Sequence, residues 1–265
     1  MEFYVIHEPP FAVNDSGKCK AQWVGVAQYG TKSFPVIPPG LEKGDSVHVT
    51  RDTFEDHIKG TRGLALAPIR TYKEKNNVCR FAVIDIDVCN YTYTWLIVRL
   101  YEAGFKFCAF RSKSGGLHLY FFFAETENAG DVITSLSHII EVFGLAKIFN
   151  NKVEIFPKQS VCVQGESQAN CIFLPYFNAY NDCPNRMINS NNKLINFEKG
   201  LGVIQTMITT LKEIDRILEA LPYSDAPYCT QSILLSGKLS EGDYRSNFLM
   251  HTAIYLKKKY TDNFY

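Results

Sequence analysis

Two aspartates, Asp85 and Asp87, interrupt an apolar run, Phe81–Val88, that otherwise has the composition of a buried β-strand. Because side chains alternate along a strand, both carboxylates share one face with Val83 and lie about 6.5–7 Å apart along the backbone. Like charges at that spacing in an apolar setting repel each other unless a cation or a shared proton compensates them. A hard divalent cation such as Mg²⁺ or Mn²⁺ takes oxygen ligands and meets this need. Alternatively, the strand ends here and both aspartates simply reach water.

A second stretch, Arg111–Tyr120, contains a glycine turn that opens a strand carrying His118. Glycines let the backbone approach a ligand closely, and the exposed N–H groups of such a turn suit an anion. Alternation along this strand predicts that His118 and Tyr120 share a face. A histidine on a strand is usually an ordinary core or surface group. Here Arg111 and Lys113 precede the glycines, and this combination is what a triphosphate site needs.

A third stretch, Lys152–Gln159, is a short apolar strand interrupted by one acid, Glu154, and followed by Lys158 and Gln159. Taken alone, Glu154 would be a solvated side chain. As a third carboxylate beside the two aspartates, it completes a site for two divalent metal ions.

The order of these three stretches resembles the archaeo-eukaryotic primase superfamily, whose motifs are an acid-x-acid strand, a histidine strand after a glycine turn, and a third strand acid. The similarity is greatest to phage and mobile-element primase-polymerases, because Asn170–Phe177 follows the third motif and His57–Gly60 precedes the first core strand. The similar region covers about residues 50–180. Gly116 stands where these proteins commonly have a serine, and their third acid is often aspartate rather than glutamate.

This resemblance implies a template-directed nucleotidyltransferase, a DNA primase/DNA polymerase of phage or mobile-element replication. It implies that the catalytic acids are also the ligands of Mg²⁺ or Mn²⁺, namely Asp85, Asp87 and Glu154. The implied nucleotide-binding residues are Arg111, Lys113, Ser114, Gly116, His118, Lys158 and Gln159. The implied partners are a single-stranded DNA template, a primer and nucleoside triphosphates, with a helicase domain or partner beyond the C-terminus.

The resemblance also implies an α+β fold, in which an RRM-like mixed or antiparallel sheet is flanked by helices. Apolar spacing predicts amphipathic helices over Ala129–Phe143 and Val203–Leu221. Prolines and glycines predict that residues 1–49 are a peripheral, loop-rich segment around a possible strand or short helix at Ala21–Gln28. A linker-like composition after Leu221 divides a catalytic domain, residues 1–222, from the start of a C-terminal helical domain, residues 223–265. We therefore expect a fragment of a longer primase, although no phosphate-loop motif of a helicase is present.

Composition limits the kinds of partner and the cellular location that we expect for the protein. The 265 residues carry a net charge of only +1, so there is no global basic footprint, and nucleic acid would have to bind a locally positive groove. The eight cysteines include no Cys-x-x-Cys pair and read as thiols in a reducing cytosol. No apolar run reaches membrane-spanning length. A soluble protein in the cytoplasm of a bacterial host, encoded by a phage or mobile element, is expected.

Two other functions remain open from the residues alone. A metal-dependent nuclease or phosphodiesterase also needs clustered carboxylates, but it does not need a glycine-turn histidine followed by a Lys-Gln pair. A catalytically silent nucleic-acid-binding module would not need all three acids. The preference for ribo- or deoxynucleotides, the template sequence and the oligomeric state are not determined by these patterns.

Overall fold

The computed structural model describes residues 11–13, 19–21, 23–29, 32–36, 51–70, 77–161, 169–181, 183, 185–221, 226, 230–231 and 245–260. The strands within these ranges are β1 (Phe11–Val13), β2 (Cys19–Ala21), β3 (Trp23–Tyr29), β4 (Lys32–Val36), β5 (Gly63–Leu66), β6 (Ile69–Arg70), β7 (Val78–Ile86), β8 (Cys108–Arg111), β9 (Leu117–Asn128), β10 (Val153–Phe156), β11 (Ile172–Phe173), β12 (Met187–Ile188), β13 (Leu194–Ile195) and β14 (Ile208–Thr209). The helices are α1 (Arg51–Lys59), α2 (Thr94–Glu102), α3 (Ala129–Val142), α4 (Leu145–Ile148), α5 (Phe197–Thr206), α6 (Leu211–Ala220) and α7 (Arg245–Tyr260).

The largest sheet has the strand order β10-β7-β9-β8-β12-β13, with β6 added to β7 and β14 added to β9. Its pairs are antiparallel except for β14 and β9, which run parallel. Strands β8 and β9 form an antiparallel hairpin across the glycine turn. The α+β prediction of a mixed sheet with flanking helices is therefore confirmed.

Strand β7 lies inside this sheet and is covered on both faces. Ala82, Ile84 and Ile86 pack into one apolar cluster with residues of α2, α3 and α6. Phe81 and Val83 pack into a second cluster, together with residues of α1, β5 and β11. The alternation predicted from the sequence is the alternation of the structure. The two aspartates consequently continue the face that looks toward α1 and β11.

A second sheet has the order β11-β5-β3-β4 and contributes to the layer over that face. In the described part of residues 1–49, the possible strand or short helix expected at Ala21–Gln28 is the strand β3, whereas the expectation of a peripheral, loop-rich segment is wrong there. Strand β3 pairs with β4 along five residues and with β5 along four, so the N-terminal chain supplies two strands of the second sheet. Both strands form in spite of a glycine in β3, Gly25, and a proline in β4, Pro35.

The predicted helix Ala129–Phe143 is confirmed as α3, whereas a continuous helix over Val203–Leu221 is wrong. Helix α5 ends at Thr206, and β14 then pairs with β9 before α6 begins. The physical reason is a capping box at Thr210. Its hydroxyl accepts a hydrogen bond from the Glu213 N–H, and the Glu213 carboxylate accepts one from the Thr210 N–H. Such a cap starts a new helix at this point instead of continuing the old one.

His57 joins the end of α1 to the layer above the site. The N–H of Leu64 donates to Nδ1 at 3.0 Å, so Nε2 carries the ring proton and donates to the carbonyl of Pro175 at 3.0 Å. The ring is fully buried between Phe173 and Phe177, whose ring centroids each lie 5.4 Å away. This histidine thus ties β5 to the segment that follows β11.

The proposed domain boundary at residue 222 stays a prediction, since residues 222–225, 227–229 and 232–244 are outside the described ranges. Helix α7 is the element described within the predicted C-terminal segment. None of the helices described here has both the length and the apolar character needed to cross a membrane.

Replacing His57 with phenylalanine should destabilise the protein. The ring is kept, but the buried Leu64 N–H and Pro175 carbonyl lose their partners, which costs about 1–3 kcal/mol for each group left unpaired. The free energy of unfolding from a urea titration measures this loss. His251→Phe is the control, because His251 is exposed on α7 and its replacement should change stability by less than about 0.5 kcal/mol. Equal unfolding midpoints for the two variants would contradict the tie assigned to His57.

Candidate active site

Strand register brings the three sequence motifs into one row. Asp85 on β7 pairs directly with His118 on β9 and with Glu154 on β10. Residues directly opposite each other in antiparallel strands project to the same face, with Cβ atoms about 4.5–5.5 Å apart. A carboxylate, a second carboxylate and an imidazole therefore lie side by side across three strands.

The two inner members of this row already interact. Nε2 of His118 lies 3.3 Å from Oδ1 of Asp85, and the side chains are 12% and 19% exposed, respectively. Asp87 is exposed at the end of the strand, and its N–H donates to the carbonyl of Lys152 at 3.0 Å. Asp85 is thus largely shielded from solvent and contacts a histidine, whereas Asp87 is exposed to solvent.

A cavity of about 270 Å³ opens over this row. One wall is polar, and its members are Asp85, Asp87, Ser112, Lys113, Ser114 and His118. The other wall is mainly apolar, and its members are Phe156, Cys171, Ile172, Phe173 and Asn185. Such a division suits a ligand with a charged end and a flat, less polar end.

The glycine turn is held by its own hydrogen bonds. The Ser112 N–H donates to the Gly116 carbonyl and the Gly115 N–H donates to the Ser112 carbonyl, each at 3.0 Å. Oγ of Ser112 accepts from the Gly116 N–H at 2.8 Å and lies 2.9 Å from Oγ of Ser114. Two hydroxyls consequently meet at the mouth of the turn, on the polar wall of the cavity.

The packing around Gly116 explains why this position is a glycine. A Cβ at this position would lie 2.5 Å from the carbonyl oxygen of Ile86 and 3.1 Å from Oγ of Ser112. The first of these is a backbone atom of β7 and has no room to move. The turn therefore approaches β7 closely, and in this chain the neighbouring hydroxyl comes from Ser112.

Lys113 spans the two walls. Its Nζ lies 5.1 Å from the centre of the Phe173 ring, within the range of a cation–π contact. Partial burial lowers the pKa of Lys113 from its ordinary value. Beneath it, burial and then the negative charge of Asp85 raise the pKa of Tyr120, whose hydroxyl donates to the Phe173 carbonyl at 3.3 Å. The apolar wall is thus anchored to the strand that carries His118.

Several predicted site residues do not line the cavity and have other partners. Glu154 is 55% exposed, and its Oε2 lies 2.7 Å from Nζ of Lys158. Lys158 also lies over the Phe156 ring at 5.0 Å. Gln159 and Asn170 are joined by their amide side chains.

Arg111 lies at the end of β8, next to the polar wall. Its guanidinium donates to Oδ1 of Asn192 at 2.9 Å, while its N–H donates to the carbonyl of Arg186. The side chain is therefore directed toward the β12–β13 connection rather than into the cavity.

The carboxylates meet the chemical requirements of a divalent metal site, although the side chains are not gathered around one point. Among the described residues, no group of three or more histidine, cysteine or acidic side chains converges for metal binding. Asp85 and Asp87 nevertheless line one cavity, and Glu154 lies opposite Asp85 on the next strand. Oxygen donors of this kind suit a hard cation. Recruiting Glu154 requires that its ion pair with Lys158 open.

Sequence reasoning missed the Ser112 hydroxyl and the whole apolar wall. The motif pattern in Arg111–Tyr120 directed attention to Ser114, and only the turn geometry brings Ser112 beside it. Phe173 lies in the Asn170–Phe177 segment, which contributed to the family resemblance but was given no role in the site. It reaches the cavity because β11 pairs with β5, far away in the sequence.

Comparisons with known proteins give one family. The model of a family described as the archaeo-eukaryotic primase domain of the TOTE conflict system matches residues 20–214, more than half of the chain. Among solved structures, the archaeo-eukaryotic primase domain of the primase-polymerase of cyanophage S-2L matches with 10% sequence identity and a TM-score of 0.33. That match covers 70% of this chain and 87% of the phage domain. A search of curated proteins finds no match.

Replacing Gly116 with alanine should displace the turn from β7. The clash with the Ile86 carbonyl is of the overpacking kind, which costs about 1–3 kcal/mol. The free energy of unfolding from a urea titration should fall by this amount. Gly202→Ala is the matched control, because a Cβ there meets no atom within 4 Å and alanine in a helix gains about 0.5–1 kcal/mol over glycine. If Gly116→Ala were as stable as Gly202→Ala, the close approach to β7 would be disproved.

Proposed function

Because this chain belongs to the archaeo-eukaryotic primase domain family of TOTE conflict systems, we propose that it is a template-directed nucleotidyltransferase that extends a primer or starts one. The observation that carries the proposal is the row of Glu154, Asp85 and His118 beside a cavity with one charged and one apolar wall. A nucleoside triphosphate has the matching halves. Its phosphates suit the polar wall, and its base suits the wall at Phe173.

The proposed metal ligands are Asp85, Asp87 and Glu154. Two Mg²⁺ or Mn²⁺ ions, when bound, activate the attacking hydroxyl and neutralise charge on the leaving pyrophosphate. The protein's own part is to hold the three carboxylates on one face of paired strands, where register rather than flexible loops sets their spacing. In the absence of metal, the ammonium of Lys158 compensates the charge of Glu154.

The proposed triphosphate ligands are grouped at the glycine turn. The ammonium of Lys113 and the hydroxyl of Ser114 line the cavity, and the backbone at Gly116 brings the turn close to β7. His118 is held beside Asp85, where an imidazole N–H can donate to a phosphate oxygen. Charge-assisted bonds of this kind are the strong ones in phosphate recognition.

Arg111, Lys158 and Gln159 are proposed as further nucleotide ligands. Each has another partner in this structure, so nucleotide binding would exchange those partners for phosphate or sugar oxygens. A single-stranded template and a primer are the other proposed partners. The replication setting, a helicase partner and the location in a bacterial cytoplasm stay predictions from sequence.

A direct assay separates this proposal from a nuclease or a silent binding module. The protein is mixed with a labelled primer on a longer single-stranded template, with nucleoside triphosphates and Mg²⁺ or Mn²⁺. A transferase lengthens the primer, a nuclease shortens it, and a binding module leaves its length unchanged. Shortening or no change would refute the proposed function.

Each of the substitutions Asp85→Asn, Asp87→Asn and Glu154→Gln should remove nearly all nucleotide addition. They keep the side-chain shape but remove a charge that a divalent cation needs. Primer extension gives the activity, and circular dichroism verifies the fold. Glu125→Gln is the control, since Glu125 is an exposed acid farther along β9 and its variant should extend primers normally. Normal extension by the Asp87 variant would show that the metal assignment is wrong.

As the pH is raised, nucleotide binding should weaken at a lower pH than it would if Lys113 had the pKa of an ordinary lysine. Burial lowers the pKa of Lys113, so its charge is lost at a lower pH, and a charge-assisted bond worth about 1.5–3 kcal/mol is lost with it. The apparent affinity for nucleotide, titrated from neutral to alkaline pH, should therefore fall in the parent protein first. Lys113→Arg stays charged throughout. Superimposable pH profiles for the two proteins would contradict a role of Lys113 in binding phosphate.

A further inference from the structure

The row of Glu154, Asp85 and His118 has different surroundings on its two sides. Toward β9 and β8 it meets the cavity, with the glycine turn and Lys113. Toward β10 it meets the end of the sheet, because β10 is the first strand in the order and pairs only with β7 among the described strands. One side is therefore a walled pocket, whereas the other is an open edge.

Lys152 lies on that open edge, directly before β10. The pairing of Val153 with Ile86 continues backward to place Lys152 opposite Asp87. Two backbone bonds of 3.0 Å hold it there: its N–H donates to the Phe149 carbonyl, and its carbonyl accepts from the Asp87 N–H. Alternation along the strand puts Lys152 on the same face as Glu154 and the two aspartates.

The ammonium of Lys152 is available for a ligand. The side chain is exposed, and within the described part of the chain it forms neither a hydrogen bond nor an ion pair. Lys158, the other lysine at this edge, is engaged with Glu154 at 2.7 Å. Three carboxylates on one face repel a nucleic-acid backbone, so a strand that approaches them needs a cation on its own side.

The geometry of phosphoryl transfer indicates which nucleic-acid strand approaches the carboxylates from the β10 edge. In such transfers the attacking and leaving oxygens lie roughly in line on opposite sides of the transferred phosphorus. With the leaving pyrophosphate on the turn at Lys113 and Ser114, the attacking hydroxyl must come from the opposite side of the acids, which is the β10 edge. This step rests on the proposed function of the site.

We propose that the open β10 edge binds the 3′-terminal part of the primer strand, and that Lys152 contacts the last internucleotide phosphate of that strand. The occupant is a single-stranded or primer-template nucleic acid with a free 3′-hydroxyl. Its terminal hydroxyl then reaches the carboxylates, while the preceding phosphate lies against the ammonium. Lys152 acts as a binding and positioning residue and takes no part in proton transfer.

Binding of a fluorescent primer-template, measured by anisotropy without nucleotide, tests this contact. Lys152→Ala should weaken binding roughly 2- to 5-fold, the range for one exposed charge pair. It should also reduce the slope of log affinity against log salt by about 0.7–0.9, the value for one phosphate contact. Lys152→Arg should bind like the parent protein. Lys212→Ala is the matched control, because Lys212 is exposed on α6, which packs on the opposite face of the sheet.

A chemically altered primer locates the contact. When the last internucleotide phosphate is replaced by a neutral methylphosphonate, the parent protein should lose the same factor in affinity, and Lys152→Ala should lose nothing more. Equal losses for both proteins, or parent-like binding by Lys152→Ala, would overturn the inference. A higher KM for the incoming nucleotide with unchanged primer affinity would overturn it as well, by moving Lys152 to the triphosphate.

These outcomes are separate from those that test the proposed function. Binding is measured without turnover, so the contact is decided even if the protein adds no nucleotide. Conversely, a protein that extends primers normally with Lys152→Ala, at every primer concentration, keeps its proposed function and loses this contact.

Discussion

The site depends on one constraint, which is that a strand buried on both faces ends in two charged residues. Six of the seven residues of β7 that precede Asp85, Val78–Ile84, are buried. The side chain of Asp85, which comes next in the strand, is only 19% exposed. A carboxylate in such a position costs free energy unless a partner compensates its charge. The pairing of β7 with β9 and β10 supplies that partner and at the same time adds another acid. Stability and chemistry therefore depend on the same three strands.

Each acid of the row lies beside a side chain that can carry a positive charge. Like charges directly opposite each other destabilise a sheet, so Asp85 beside Glu154 is unfavourable in itself. His118 lies 3.3 Å from Asp85 on one side, and Lys158 lies 2.7 Å from Glu154 on the other. The neighbour of Asp85 thus comes from the second motif, whereas the neighbour of Glu154 comes from the same stretch of chain as Glu154 itself.

The part of the apolar wall that β11 contributes is supported from outside the central sheet. Phe173 belongs to β11, whose neighbour β5 is held by His57, while the Tyr120 hydroxyl holds the Phe173 carbonyl from below. Two buried hydrogen-bonding side chains that do not line the cavity thus hold this part of its lining in place. Loss of either hydrogen bond would leave a buried polar group unsatisfied. These bonds therefore stabilise the position of β5 and β11 above the row of Glu154, Asp85 and His118.

The sequence by itself determined what alternates along single strands and single helices. The shared face of Asp85 and Asp87, the strand of His118 after its glycine turn, and helix α3 all follow from local spacing, and the order of the three motifs indicated the family. Tertiary structure decided everything that depends on pairing between distant segments. The register of β10 on β7 brings Glu154 opposite Asp85 and Lys152 opposite Asp87, the β14–β9 pairing accompanies the break between α5 and α6, and the second sheet brings Phe173 to the cavity. A period of two says which face a side chain takes, but it says nothing about which strand lies beside it, because register is set by contacts between segments far apart in the chain.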